Sequence, residues 1–81
     1  MNINSLLHLI SNININTDED KYFLEILNTI NSAAEIGINS IAYELHTINA
    51  YSIQIICNKI KNNFPDIDIT IYDKRIYIDW S

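Results

Sequence analysis

The sequence predicts an α/β (α+β) fold: a two-layer sandwich in which two main helices cover one face of a small, mixed, three-stranded sheet ending in a C-terminal β-hairpin. Three observations carry this. Apolar residues recur at three- and four-residue steps over residues 18–36, they do so again toward residue 64, and "DIDITIYDKRIYIDWS", residues 66–81, is apolar at nearly every second position. A chain of 81 residues has room for one small core, so both patterns must bury their apolar sides against each other.

Residues 1–16, "MNINSLLHLISNININ", set Leu6, Leu7 and Ile10 at helical spacing, and Ile13 and Ile15 then alternate with asparagines. We expect a short helix and an extended connector, forming an N-terminal arm that docks on its own core or on a neighbouring subunit. Residues 17–81 are expected to form a single α/β domain. Thr17 suits a helix N-cap, Asp18, Glu19 and Asp20 favour the positive end of the helix dipole, and Gly37 is the stop signal. Between them Tyr22, Phe23, Ile26, Leu27, Ile30 and Ala34 form one apolar face.

Beyond Gly37, Ile41, Tyr43 and Leu45 alternate with Ser40, Ala42 and Glu44, the pattern of a half-buried strand. A second main helix begins near residues 48–50 with Thr47 or Asn49 as cap, carries Ile53, Ile56, Cys57, Ile60 and Phe64 inward, and ends at Pro65. The competing reading is one helix over residues 40–64, since Ala42, Glu44 and Leu45 are weak strand formers. In the final hairpin Ile67, Ile69 and Ile71 share a face, as do Ile76, Ile78 and Trp80. Pairing across Asp73 and Lys74 sets Ile71 opposite Ile76, Ile69 opposite Ile78 and Ile67 opposite Trp80. The turn lacks Asn-Gly or Asp-Gly, which leaves room for a longer loop. Trp80 is then a core residue that fastens this segment to the helix layer.

Composition narrows the function classes. Five Lys and Arg against ten Asp and Glu give a net charge of −5, which opposes attraction to a phosphate backbone, so nucleic acid is not an expected partner. The apolar runs fall short of the roughly 20 residues that span a bilayer, and no membrane association is expected. A single cysteine and no leader pattern predict an intracellular protein. The abundance of Ile and Asn is what AT-rich codons produce and reports nothing about activity.

If the isoleucines face the helices, the opposite sheet face carries Ser40, Ala42, Glu44, Asp68, Thr70, Tyr72, Arg75, Tyr77 and Asp79, with no helix left to cover it. Tyrosine and arginine on an open sheet are residue types enriched where proteins bind proteins. Thr70, Tyr72, Arg75 and Tyr77 are therefore the candidate protein-interaction residues. The plainer alternative is a solvated face with tyrosines as cross-strand partners. Asp66, Asp68 and Asp79 are the candidates for a hard cation, because Asp68 lies opposite Asp79, but they lack the loop spacing of a calcium site. Cys57 with His46 or His8 has the residue types of a nucleophile and base, but Cys57 falls on an apolar stripe where a buried thiol is the commoner role. No glycine-rich phosphate loop is present, and neither a cofactor nor catalytic residues are expected.

With "SAAEIG" closing one helix, "NKIKNNFPD" closing another and the hairpin "ITIYDKRIYIDWS", the layout over residues 18–81 resembles the small uncharacterised α/β accessory proteins of phages and large DNA viruses. The resemblance implies a small binding protein with no catalytic residues to carry over. The expected function is thus a non-enzymatic protein-interaction module that self-associates, as a homodimer or larger, and binds or inhibits a partner macromolecule. The alternatives are a minor structural component of a virus particle and a small enzyme or ligand-binding domain with its site at a subunit interface.

Overall fold

The computed structural model describes residues 1–45 and 49–81. Its element order is α1 (Ile3–Asn12), α2 (Asp18–Glu35), β1 (Ser40–Glu44), α3 (Ala50–Asn63), β2 (Asp68–Tyr72) and β3 (Arg75–Asp79). The two-layer α/β architecture predicted from periodicity is the one adopted. The strands lie in the order β1-β3-β2, and both pairings are antiparallel. This corrects the expected mixed sheet: β1 and β2 point the same way, but β3 runs between them, so no parallel ladder forms.

The local signals act as expected. The Thr17 hydroxyl accepts from the Asp20 N–H at 3.1 Å and caps α2. At the other end Ile38 N–H bonds the Ala33 carbonyl and Gly37 N–H that of Ala34, a Schellman closure that needs the φ of +82° at Gly37. Asn49 caps α3 by accepting from Ser52 N–H at 2.8 Å; the alternative cap, Thr47, lies outside the described residues. Asn2 accepts from the Asn4 and Ser5 N–H groups and caps α1, an N-cap the sequence reading did not assign. The strand at Ser40–Glu44 excludes the continuous helix over residues 40–64.

One core collects Leu6 of α1, Phe23, Ile26, Leu27 and Ile30 of α2, Leu45, the five predicted positions of α3 and its C-cap, Ile67, and Ile76 and Ile78 of β3. Every residue on the predicted α3 stripe is buried. On α2 the stripe ends at Ala33, which is buried, and Ala34 is only half-buried, a rotation of one residue from expectation. Met1, Leu9, Ile10 and Ile13 pack partly against the same core, so α1 folds back on its own chain. The radius of gyration, 11.8 Å, is about the 12 Å expected of a compact chain this long.

The hairpin register is the predicted one, with Ile71 opposite Ile76 and Ile69 opposite Ile78. Its loop is two residues long, Asp73 and Lys74, and Asp73 supplies the left-handed φ of 57° that a glycine would otherwise provide. No longer loop is needed, because aspartate tolerates this backbone region better than most residues. Trp80 is half-buried and packs at the margin of the core instead of inside it, because β3 ends at Asp79 and Trp80 N–H reaches back to the Asn39 carbonyl at 2.9 Å. Ile71, expected under the helices, is 41% exposed because β2 is an edge strand.

An ion pair and a hydrogen bond tie α2 and α3 together above this core. Lys59 of α3 pairs with Asp20 of α2 and lies 5.8 Å from the centre of the Phe23 ring, while Ser52 donates to Glu19 at 3.0 Å. Lys59, helped by the Asn16 N–H, holds the Asp20 carboxyl down to about 2. Both links fall on the first turn of α2, where the sequence placed its acidic run.

Candidate functional site

The strand register turns the outer face of the sheet into three rows. Glu44, Arg75 and Tyr72 form the first, Ala42, Tyr77 and Thr70 the second, and Ser40, Asp79 and Asp68 the third. All nine residues are exposed, as alternation demands when the isoleucines on the other side enter the core. The four residues predicted for protein interaction are therefore brought together around the two upper rows.

Tyr72 is 73% exposed and Tyr77 41% exposed, large amphipathic rings standing on a rigid support. Arg75 lies between them. Its guanidinium pairs with Glu44 through Nη2 and donates from Nη1 to the Tyr77 hydroxyl at 3.4 Å. The Tyr77 hydroxyl and the Glu44 carboxylate together push the guanidinium pKa further up, so the arginine stays charged at any pH the protein meets. The exposed ion pair adds little stability, and it holds the arginine fork between the Glu44 carboxylate and the Tyr77 hydroxyl.

Glu44 is the site residue that sequence reasoning placed on this face without giving it a role. The signal lay in cross-strand pairing of opposite charges, but reading it requires knowing that β1 joins β3. That neighbour relation is set by strand order, which is not encoded in alternation.

Asp68 and Asp79 do face each other across β2 and β3. Asp79 is satisfied from within: one carboxylate oxygen accepts from Ser81 N–H at 2.9 Å and from the Ser81 hydroxyl at 2.7 Å. These bonds lower its pKa and offset the repulsion from its neighbour. Asp66 sits apart in the turn before β2, and among the described residues no three His, Cys, Asp or Glu side chains are grouped to hold a metal ion.

Cys57 is buried in the core, and desolvation pushes its thiol up to about 11. His8 is exposed on α1 next to Asn12, and His46 lies outside the described residues. Among the described residues no polar or charged side chain is buried, and no helix is long and apolar enough to cross a membrane. No protein-family model matches the chain, and neither curated proteins nor solved structures provide a match.

Proposed function

We propose that this protein is a non-enzymatic protein-interaction module whose contact surface is the open sheet face, with Thr70, Tyr72, Arg75 and Tyr77 as its central residues. The observation that supports this reading is the row of Glu44, Arg75 and Tyr72 above Tyr77. It presents aromatic rings and a guanidinium paired to Glu44 and Tyr77 on a three-stranded support that none of the described helices covers. Tyr and Arg are the side chains that carry most binding energy at protein interfaces, because their large, partly apolar surfaces desolvate at modest entropic cost. The partner is a protein, and the role is that of a small intracellular accessory protein, of the viral or phage type, that binds or blocks it. Association with copies of itself is the first form this takes, in keeping with the prevalence of symmetric self-assembly.

The test is a double variant, Tyr72→Ser with Tyr77→Ser. Both side chains project from the exposed face, so circular dichroism and the melting curve should be nearly unchanged while association, with itself or with a bound protein, weakens. Association that is unchanged in the folded double variant removes this face from consideration.

A further inference from the structure

The free edge of β2 carries a second inference, which rests on the reading of a self-associating module above and moves the contact between copies from the open face to the edge of the same sheet. Hydrogen bonds from Leu45 N–H to the Lys74 carbonyl, 2.8 Å, and from Trp80 N–H to the Asn39 carbonyl extend the β1–β3 ladder at both ends. They fix which way each residue of β3 points its backbone. The even-numbered residues 74–80 turn toward β1, so Arg75, Tyr77 and Asp79 turn toward β2 and bond Tyr72, Thr70 and Asp68. It follows that Ile69 and Ile71 direct their N–H and carbonyl groups outward, where no described residue bonds them. Ile67, one step earlier, is already used: its N–H bonds the Phe64 carbonyl and its own carbonyl accepts from Lys61.

Edge strands are normally protected by lysine, proline, a bulge or a covering element. The strand DITIY has no lysine, proline or bulge. Beside it runs a groove of about 510 Å³ between β2 and α3, lined by Gln54, Cys57, Asn58 and Lys61. The exposed Ile71 stands on this side of the sheet.

We infer that β2 pairs with β2 of a second copy of this chain, antiparallel about a two-fold axis at Thr70, to give a continuous six-stranded sheet. Symmetry and hydrogen-bond parity select this register. A two-fold axis requires that some residue face its own copy, and centring on Thr70 sets Ile69 against the partner's Ile71 twice over, so that all four outward groups on each strand are bonded. Centring on Ile69 wastes Ile67, and centring on Ile71 runs into the turn at Asp73. The side chains agree with the backbone. On the helix side, four isoleucines meet and cover the exposed Ile71. On the open side, each Asp68 faces the partner's Tyr72, a hydroxyl donor, and no carboxylate meets another across the new ladder. The other free edge, β1, offers less: its helix-side residues Ile41 and Tyr43 are already half-buried, and the Tyr43 hydroxyl is committed to Glu25 at 2.7 Å.

Two variants and a control test this pairing, with molar mass read by light scattering over a wide concentration range. Ile71→Pro removes one outward N–H per chain without touching the β2–β3 ladder, a position where an edge strand tolerates proline. It should weaken dimerisation at least tenfold while the melting curve shows a folded protein. Thr70→Cys places two thiols at a non-hydrogen-bonded pair on the axis, within disulfide reach, and should give a covalent dimer on mild oxidation. Tyr77→Cys, in the middle of the open face, should not. Cross-linking at position 77 with none at 70, or a dimer indifferent to Ile71→Pro, overturns edge pairing and leaves the open face as the self-association surface. A wild-type chain that is monomeric throughout also overturns edge pairing, while binding of a foreign protein that depends on Tyr72 and Tyr77 would still support the interaction reading.

Discussion

Replacing Leu6 by alanine tests whether α1 belongs to the fold or merely lies against it. Leu6 is fully buried and is the one residue of this ten-residue helix that is, whereas Leu7, its neighbour, is 45% exposed. Leu→Ala in a protein core costs about 2.7–5 kcal/mol, from lost transfer energy and the cavity left behind. A short terminal helix can partly collapse into that cavity, so about 3 kcal/mol is expected. A domain of this size holds roughly 4–12 kcal/mol in total. The change should therefore lower Tm by roughly 12–24 °C, and Leu7→Ala by far less. Urea unfolding followed both by far-UV circular dichroism and by the fluorescence of Trp80 is the suitable assay, since the first reports all three helices and the second the end of β3. Coincident transitions shifted together by Leu6→Ala show α1 to be part of the cooperative unit. A helix signal lost ahead of an unmoved tryptophan transition, or equal effects of Leu6→Ala and Leu7→Ala, would refute the reasoning.

Three further outcomes are expected. Because the Asp20 carboxyl titrates at about 2 when folded against an ordinary 3.8, the stabilisation from its pairing is complete above about pH 3.8 and is lost as pH falls toward 2; Lys59→Gln should move the Asp20 titration measured by NMR upward and shift acid unfolding to higher pH. The Cys57 thiol, raised to about 11 by burial, is roughly a thousandth ionised at pH 8 and shielded besides, so a thiol reagent should label the native protein slowly and the urea-unfolded protein at once; fast native labelling would contradict its placement in the core. Deleting Trp80 and Ser81 removes a half-buried ring, the Asn39 bond and the two hydrogen-bond donors to the Asp79 carboxylate, at a cost of about 2 kcal/mol, and the truncated chain should melt roughly 8–16 °C lower. A loss of only a few degrees would show that the ring adds nothing to the core.

The elements of this protein were legible because their causes are local. A capping threonine, an acidic first turn and a single glycine delimit α2 in sequence and in structure alike, and strict alternation in the hairpin determines both its register and which residues stand on the open face. Thr70, Tyr72, Arg75 and Tyr77 could be grouped from that alternation alone. What the sequence could not decide was the neighbour relation of β1, because a period of two says which face a side chain takes and nothing about which strand lies alongside. Only the tertiary structure puts β3 in the centre. That placement makes the sheet antiparallel throughout, brings Glu44 to Arg75, leaves Ile71 uncovered and turns β2 into an edge with unspent hydrogen bonds. The depth of Trp80 and the exchange of Ala34 for Ala33 have the same origin: burial at the end of an element depends on what packs there, which is a property of the assembled layers and not of the segment's own pattern.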